Sequence, residues 1–413
     1  MYLPHTATAV PAGQLVLLEQ GSESIASRFG YGKRYLTRAD AVPVDPRSLP
    51  LDARPGNEQL YEPINRLTQF GAIRDAAPDF WGRRVIEAKL RIPPDSVPES
   101  VYLQHGGPHR FGALDFRATT DAGPTQGALP DAIDLTYLLA TADRVQDGLP
   151  IPRELEPLLD VGTMGGARPK AVVVHAGRQY LAKFPAKNDP FNIPLVEFAT
   201  LDLARQCGLD VPATDLRTLA DGRQVMLIER FDRAALAGRD FARHHCISAL
   251  TLLGKAEQES ASSGYGEISN AIAEFGAKGF VTHDRRELFA RMVFNILVSN
   301  QDDHLRNHAF VWDGTTKGWR LSPLYDVVPT PQVATERRLH LSVGPQGRLA
   351  TLANALEAHG AFGLLRPTAK EIVDRVATSV RAWKVHFERI GVPAKEIAKV
   401  GSAFRKPRDI GWN

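Results

Sequence analysis

The chain has 413 residues, a formal net charge of +3, and hydrophobic and charged fractions of 43% and 23%. This length allows about two or three domains with real cores, and the fractions are ordinary for a soluble globular protein. The small net charge gives no argument for direct nucleic-acid binding. Cys207 and Cys246 are too few for a disulfide framework or a metal site, and no apolar run is long enough for a membrane span. We therefore expect a soluble cytoplasmic protein with no membrane partner.

Residues 1–125 are predicted to form an α+β module. The segment QLVLLEQ (14–20) and the following SESIASRFGYGKRYL have the spacing of strands. HRFGALDFR (109–117) alternates and predicts a further strand. Asp79 precedes FWGRRVIEAKL and predicts the N-cap of an amphipathic helix. The residues expected on the buried side of that helix are Phe80, Trp81, Val85 and Ile86.

Residues 126–235 are predicted to form a second domain that is rich in strands. DAIDLTYLLATADRVQDG predicts a helix, DVGTMGGARPKAVVV predicts a glycine-rich turn leading into a strand, and RQYLAKFPA predicts the next strand. LVEFATLDLARQCGLDVP predicts a helix that ends at Gly208. ATDLRTLADGRQVMLIERFDR predicts a hairpin with its turn at Asp221 and Gly222.

Residues 236–413 are predicted to form a mostly helical third domain. HHCISALTLLG, YGEISNAIAEFG and RELFARMVFNILVSN predict amphipathic helices, and AFVWD and WRLSPLYDV predict short strands. TAKEIVDRVATSVRAWKVHFERIG predicts one long C-terminal helix. The chain contains no internal repeat that would indicate a solenoid.

A dense polar segment, NQDDHLRN (300–307), lies between an apolar helix and an apolar strand. Asp302 and Asn307 are five residues apart, and Asp326 follows after a short hairpin. Phosphoryl transfer from ATP needs a carboxylate near the substrate hydroxyl, and an amide and a second carboxylate that hold magnesium against the phosphates. The alternative is a helix-to-strand turn that these polar residues only cap and solvate.

The order of the other motifs favours phosphoryl transfer. The glycine-rich turn comes first, then Lys183 in the next strand, Glu197 in the next helix, and a strand that ends in ERFDR. This is the order of parts in a two-lobed kinase. Lys170 would add charge to the glycine-rich turn, and Lys183 needs an anionic partner, either phosphate oxygens or Glu197. Taken singly, these motifs also fit a hairpin, a surface lysine, a helix-dipole acid and a charged turn.

The polar segment offers two adjacent acids. Only Asp302 lies at the five-residue step from Asn307 that kinase catalytic loops use. His304 could orient the loop or contact phosphate, and Arg306 could offset phosphate charge. Asp303 has no role in this scheme.

The ordered set VGTMGGARPK, YLAKFP, VEFATLDLARQCGLDVP, IERFDR, NQDDHLRNHAF and LSPLYDV resembles the HipA family of bacterial serine/threonine kinase toxins, and so do PDFWGRRVIE and HRFGALDF. The resemblance implies an α+β, two-lobed, protein-kinase-like fold with a β-rich N-lobe, an extra N-terminal module and a helical C-lobe. It implies ATP and Mg²⁺ as cofactors, Asp302 as catalytic base, and Asn307 and Asp326 as metal ligands. The implied ATP-binding residues are Gly165, Gly166, Ala167, Arg168, Pro169, Lys170, Lys183, Glu229, Arg230, Phe231, Asp232, His304, Leu305, Arg306, Asn307 and Tyr325.

The resemblance also implies a biological role as the toxin of a toxin–antitoxin pair. Its partners would be a protein substrate such as an aminoacyl-tRNA synthetase or other translation factor, a helix-turn-helix (HipB-like) antitoxin, and operator DNA through the antitoxin complex. Thr163 stands where family members phosphorylate themselves in the glycine-rich loop, and the family commonly has Gly at the position of Asp303. The alternatives are a small-molecule, antibiotic-type phosphotransferase and a non-catalytic partner of an antitoxin–DNA complex.

Overall fold

A computed structural model of the protein describes residues 1–3, 6, 8–51, 59–119, 121–123, 135–152, 166–237 and 240–412. The strands in these ranges are β1 (Gly13–Gln20), β2 (Glu23–Tyr31), β3 (Leu60–Tyr61), β4 (Lys170–His175), β5 (Arg178–Lys183), β6 (Thr214–Thr218), β7 (Gln224–Glu229), β8 (Arg233–Ala235), β9 (Phe241–Arg243), β10 (Cys246–Ser248), β11 (Ala309–Asp313) and β12 (Gly318–Leu321). The helices are α1 (Lys33–Leu36), α2 (Gly71–Ala76), α3 (Phe80–Leu90), α4 (Glu99–His105), α5 (Leu135–Gln146), α6 (Ile193–Gln206), α7 (Ala249–Leu252), α8 (Tyr265–Phe275), α9 (Val281–Val298), α10 (Leu352–Glu357), α11 (Arg366–Arg381), α12 (Trp383–Arg389) and α13 (Ala394–Val400).

The chain divides into two compact units. The first consists of Met1–Lys187 and Thr218–Lys255, and the second of Asn188–Arg217 and Ala256–Asn413. This division is coarser than the three domains predicted from sequence, and the boundaries near residues 125 and 235 stay a prediction. Within the described ranges, no helix combines the length and the apolar character needed to cross a membrane.

The first unit is built on two antiparallel arrangements. In one of them β1 pairs with β2, and β2 with β3. In the other, β5 lies between β4 and β7. One face of this second sheet, with Ala171, Val173 and Ala182, packs against Trp81 and Val85 of α3 and against α5. Alternation along β4 and β5 therefore buries one set of apolar side chains against the two helices.

Helix α3 begins as the sequence predicts, with one exception. The Asp79 carboxylate accepts a hydrogen bond from the Gly82 amide at 2.7 Å and caps the helix. Trp81, Val85 and Ile86 are buried as expected, whereas Phe80 is 56% exposed and the prediction that it is buried was wrong. Phe80 is the first helical residue, and its ring lies under the guanidinium of Arg84 instead of entering the core.

The predicted strand at 109–117 does not form. The structure has turns and irregular backbone there, because buried arginines of the first unit take the carbonyl groups that a strand would pair. Arg230 donates to the carbonyl oxygens of His109 and Arg110 at 2.6 and 3.0 Å. Arg233 donates to the Arg110 carbonyl at 2.6 Å.

Asp232 closes this buried cluster with charge. Its carboxylate pairs with Arg230 at 2.8 Å and with Arg233 at 2.7 Å, and all three side chains are at most 2% exposed. Burial alone would raise the pKa of Asp232, but the two guanidinium groups outweigh burial and hold it well below its ordinary value. The cluster therefore links the irregular segment 109–117 to the residues that come directly after β7.

Two predicted helices are also interrupted. HHCISALTLLG is the strand β10 followed by the short helix α7, because Ser248 is an extended N-cap whose hydroxyl accepts from the Thr251 amide at 3.2 Å. The long C-terminal helix is α11 and α12 with a break at Ala382. Next to the break, Trp383 stacks on Phe404 with ring centroids 3.9 Å apart.

The second unit is organised around α9. Almost the whole helix from Leu288 to Val298 is buried, and α8, α10 and α11 pack against it. The helix ends at Ser299, which is left-handed at φ 51° and whose hydroxyl donates to the Ala403 carbonyl at 2.6 Å. Because this end is fixed within the unit, the polar segment that follows starts from a rigid point.

Gly112 gives a test of the irregular segment. We expect Gly112→Ala to destabilise the protein by more than Gly222→Ala, which should cost about 1–2 kcal/mol for its left-handed backbone. Both glycines have positive φ, at 71° and 83°. A Cβ at Gly112 would lie 3.0 Å from the Cys246 amide nitrogen, whereas a Cβ at Gly222 meets nothing within 4 Å. Urea denaturation compares the two variants, and equal losses would contradict tight packing at Gly112.

Candidate active site

The polar segment in the second unit exposes one aspartate and buries its neighbour. Asp302 is accessible to solvent, whereas Asp303 is only 2% exposed. Leu305–Asn307 form a short 3₁₀ turn that leads into β11. The alternating accessibility means that only Asp302 of the two acids can meet a substrate.

Asp302 lies among charged and titratable groups of the same unit. Partial burial raises the pKa of its carboxyl, and the nearby carboxylates of Asp326 and Asp303 add to this effect. The imidazoles of His304 and His340 act in the opposite direction. The sequence-predicted base and the sequence-predicted metal ligand Asp326 are therefore close enough to interact electrostatically.

Asn307 is oriented by the backbone of Asp302. Its Nδ2 donates to the Asp302 carbonyl oxygen at 2.8 Å, so Oδ1 is the side-chain atom that can face a cation. Asp326 has a left-handed backbone at φ 59°, which is uncommon for a non-glycine residue and typical of functional sites. An amide oxygen and a carboxylate beside a second acid fit Mg²⁺, which binds oxygen and takes few protein ligands.

This pair is not a closed metal site. No group of three or more His, Cys, Asp or Glu side chains in the described ranges could hold a metal ion. Magnesium in kinases usually takes one or two protein carboxylates and completes its shell with phosphate oxygens and water. The residues present therefore fit an ion that arrives with a nucleotide.

Asp303 is held in a buried hydrogen-bonded network. Its carboxylate accepts from the Tyr265 hydroxyl and lies 3.1 Å from His308 Nε2. Asn295 Nδ2 donates to the same Tyr265 hydroxyl at 3.2 Å, and Asn300 Nδ2 donates to Asn295 Oδ1 at 3.2 Å. We call Asp303, Tyr265 and His308 the buried triad. The triad fixes the backbone on both sides of the 3₁₀ turn and gives Asp303 the role that sequence did not supply.

Ser260 and His340 are further neighbours that sequence reasoning missed. The Leu305 amide donates to Ser260 Oγ at 3.1 Å, and His340 Nε2 lies 3.0 Å from the same oxygen. The His340 ring meets the His304 ring edge to face, with centroids 6.0 Å apart. No periodicity or motif connects these residues in sequence, so no signal was available to find them.

Several implied ATP-binding residues of the polar segment have structural partners. The side chain of Leu305 is completely buried, so a nucleotide could contact this residue only through its backbone, and that contact stays a prediction. Arg306 pairs with Glu257 at 2.7 Å, and the Tyr325 hydroxyl donates to the Arg306 carbonyl at 2.7 Å. His304 is half-buried near Asp302, and its predicted phosphate contact stays a prediction.

The glycine-rich segment is partly described. Thr163 and Gly165 lie outside the described residues. Gly166 and Ala167 are exposed and Arg168 is half-buried, whereas Pro169 and Lys170 are buried. The ammonium of Lys170 bonds to Asp79 at 2.6 Å and to the Gly166 carbonyl at 2.9 Å. Lys170 therefore has structural partners within the first unit, and its predicted contribution of charge to the phosphate site stays a prediction.

The implied ATP-binding residues Glu229, Arg230, Phe231 and Asp232 also have structural partners. Arg230 and Asp232 belong to the buried ion-pair cluster, so their side chains cannot contact ATP. Glu229 pairs with Arg178 at 2.8 Å, and the Phe231 ring meets Phe111 edge to face. Contact of ATP with the peptide groups of Glu229, Arg230, Phe231 and Asp232 stays a prediction.

Lys183 lies at the end of β5 and is half-buried. Glu197 lies in the second turn of α6 and is 2% exposed, so it is not the surface acid at a helix start that the alternative required. A carboxylate buried to this extent needs a polar partner. Its pairing with Lys183 stays a prediction.

The fold is kinase-like. The chain resembles a structure of the Shewanella oneidensis HipA, HipB and operator DNA complex with a TM-score of 0.68 and 17% sequence identity, over 97% of this chain and 93% of that one. This likeness confirms the predicted fold class, an α+β, protein-kinase-like fold of HipA type. Asp302, Asn307 and Asp326 are of the residue types that phosphoryl transfer needs, and their roles stay predictions.

The family follows from the sequence itself. The pattern of the HipA-like C-terminal domain matches residues 162–383, more than half of the chain, and the protein belongs to the HipA-like C-terminal domain family. "Putative kinase Y4mE" of Sinorhizobium fredii is 25% identical over 85% of both chains. "Putative kinase Y4dM" of the same organism is 27% identical over 53% of this chain and 55% of its own.

Proposed function

We propose that this protein is an ATP- and Mg²⁺-dependent serine/threonine protein kinase that acts as the toxin of a toxin–antitoxin pair. One observation carries the proposal most. Asp302 is accessible beside Asp326, while Asp303 is withdrawn into the buried triad. This arrangement presents a single carboxylate to a substrate hydroxyl and keeps a second one for a metal ion.

Each residue has a defined task in this proposal. Asp302 orients the substrate hydroxyl and accepts its proton as the hydroxyl oxygen bonds to the γ-phosphorus. The bond between that phosphorus and the β–γ bridging oxygen breaks, and ADP leaves. Asn307 Oδ1 and the Asp326 carboxylate hold Mg²⁺, which offsets the phosphate charge when it is bound. Lys183 and the residues Gly166, Ala167 and Arg168 contact the phosphates.

The biological setting is part of the same proposal. The solved relative is a complex of HipA, HipB and operator DNA. We propose a helix-turn-helix antitoxin and operator DNA as partners here, with the protein acting in the cytoplasm. The proposed substrate is a translation-related protein such as an aminoacyl-tRNA synthetase, and the proposed site of self-inactivation is Thr163.

Phosphoproteomics after brief expression tests the activity and identifies the substrate. Wild type should arrest growth and raise phosphorylation at a small set of serine or threonine sites, and Asp302→Asn should do neither. Asp121→Asn is a suitable control, because Asp121 is exposed and belongs to the other compact unit. Turnover of a metabolite with no labelled protein would instead identify a small-molecule phosphotransferase.

Calorimetry separates a kinase from a non-catalytic partner. We expect wild type to bind ATP in the presence of Mg²⁺ and to lose affinity when Mg²⁺ is chelated, because the oxygen ligands alone do not attract the phosphates. Absence of binding in both conditions would favour a protein kept for its antitoxin and DNA complex.

A further inference from the structure

We propose that Asp79 is a positioning residue for the glycine-rich loop and that α3 of the N-terminal module therefore contributes to nucleotide affinity. Asp79 would act through Lys170, which in turn holds the carbonyl of Gly166. This inference rests on the proposed function for its link to ATP, while the contact itself is a feature of the first compact unit. We call Asp79, Lys170 and the Gly166 carbonyl the loop anchor.

The anchor consists of short, shielded contacts. Lys170 Nζ lies 2.6 Å from Asp79 Oδ2 and 2.9 Å from the Gly166 carbonyl oxygen. The side chains of Lys170 and Asp79 are 2% and 9% exposed. Solvent and salt screen such a pair far less than an ion pair at the surface. Replacing Asp79 by a neutral residue would take a carboxylate from the buried Lys170 ammonium, and replacing Lys170 would take the cation from the buried Asp79 carboxylate.

Helix α3 grips the start of β4 at two points. Asp79 Oδ1 caps the helix through the Gly82 amide, while its Oδ2 binds the Lys170 ammonium. Two residues further on, Trp81 Nε1 donates to the Lys170 carbonyl at 2.8 Å. The Trp81 side chain itself belongs to the hydrophobic core that packs against the sheet of β4, β5 and β7. The side chain and the backbone of Lys170 are therefore both fixed by the first turn of one helix.

Gly166 has the conformation that the anchor requires. Its φ is 112°, which side-chain-bearing residues rarely adopt, and its carbonyl oxygen accepts a hydrogen bond from the Lys170 ammonium at 2.9 Å. A Cβ at this position would lie 3.4 Å from Lys170 Nζ. Gly166 and Ala167 are exposed, so the anchor holds the last part of the loop while leaving its backbone open to phosphates.

Charge across the strands gives Asp79 a second task. Lys170 and Lys183 are directly opposite each other on β4 and β5. Opposite residues of an antiparallel pair project from the same face, where two like charges destabilise the sheet. The carboxylate of Asp79 offsets one of these charges. Lys183, which is proposed to contact the phosphates, therefore lies opposite Lys170, whose charge is offset by Asp79.

The anchor differs in its consequences from a direct contact between Lys170 and ATP. If Lys170 bound phosphate, removing Asp79 would free its ammonium and leave affinity unchanged or higher. If the anchor is correct, removing either Asp79 or Lys170 releases Gly166, and removing both lowers the affinity for ATP no further. The double-mutant cycle of Asp79 and Lys170 therefore decides between the two.

The experiment uses full-length Asp79→Asn, Lys170→Met and the double variant. Asn is as good an N-cap as Asp, so Asp79→Asn keeps the start of α3. We expect each single variant to raise KM for ATP about tenfold with kcat nearly unchanged, and the double variant to match the worse single. Asp147→Asn is the matched control, because Asp147 forms an exposed ion pair with Lys187 in the same unit. Its KM should not change.

Hydrogen exchange of the amides at 166–171 provides a readout without nucleotide. We expect faster exchange there in both single variants than in wild type. An additive double variant, or a loss of affinity in Lys170→Met alone, would overturn the anchor. If wild type binds no ATP, the proposed function fails, and the exchange measurement alone decides the anchor. Unchanged exchange in both variants would then reject it.

Discussion

Replacing Asp302 by Asn is expected to lower phosphate transfer by about 10²- to 10⁴-fold, the usual contribution of a positioned acid or base. Asn has nearly the same shape but cannot accept the hydroxyl proton. The loss should fall on kcat, because the carboxylate is accessible and the residues proposed to bind ATP are unchanged. Transfer from labelled ATP to a protein substrate and calorimetric titration of ATP with Mg²⁺ measure the two quantities separately.

The control for this experiment is Asp121→Asn, which also removes one negative charge but at a position far from Asp302 in sequence. This variant should retain full activity. Full activity in Asp302→Asn would remove the role proposed for Asp302. A large loss of ATP affinity with unchanged kcat would also contradict it, because that pattern would make Asp302 a nucleotide or metal ligand.

The candidate catalytic segment could be located from sequence because Asp302 and Asn307 are close in the chain. Asp302 and Asn307 share one short turn, so their spacing already indicates that they act together. The hydrogen bond from Asn307 to the Asp302 carbonyl is the local structure behind that spacing. The same holds for the helix cap formed by Asp79, because the Gly82 amide that donates to its carboxylate is only three residues away in sequence.

Long-range polar contacts could not be predicted. Lys170 and Asp79 form an ion pair although they are 91 residues apart in sequence. Nothing in the sequence of the glycine-rich segment indicates that Lys170 has a buried acid as its partner. The alternating pattern at 109–117 likewise predicts a strand, since the arginines that claim its carbonyls lie more than 100 residues away. Patterns of hydrophobicity report local periodicity, whereas these outcomes depend on which buried charge needs a partner.

The buried triad predicts a large effect from Asp303→Ala. We expect it to destabilise the protein by about 3–5 kcal/mol, the range for removing one partner from a buried ionic contact. His308 and Tyr265 would both lose their carboxylate partner inside the second unit. Phosphate transfer should fall as well, because the turn that carries Asn307 is no longer fixed. Urea denaturation and activity at a temperature where the variant stays folded measure the two effects.

Tyr265→Phe is the matched control for the triad. It keeps the aromatic ring against His308 and removes only the hydroxyl, so it should cost about 1–3 kcal/mol. A loss in Asp303→Ala no larger than the loss in Tyr265→Phe would show that the carboxylate adds little. Both variants leave Asp302 in place, so a loss of activity in a folded variant reports on positioning.

Because the Asp303 carboxylate is charged, its contribution to the free energy of unfolding depends on pH. Burial alone would raise the pKa of Asp303, but the His308 imidazole and the hydrogen bonds from His308 and Tyr265 outweigh burial and hold it below its ordinary value. The pKa of Tyr265 is raised well above its ordinary value by burial and by Asp303, so the phenol stays neutral throughout. A carboxyl whose folded pKa is lowered stabilises the protein above its unfolded pKa of about 3.9, and this stability is lost as the pH falls through the folded value.

The difference in unfolding free energy between wild type and Asp303→Ala should therefore narrow as the pH falls from about 5 to about 3. Urea titrations of both proteins across this range give the difference directly. A difference that grows in acid would mean that folding raises the pKa of Asp303 instead of lowering it. The triad would then be a neutral hydrogen-bonded cluster, and Asp303→Asn should be nearly as stable as wild type.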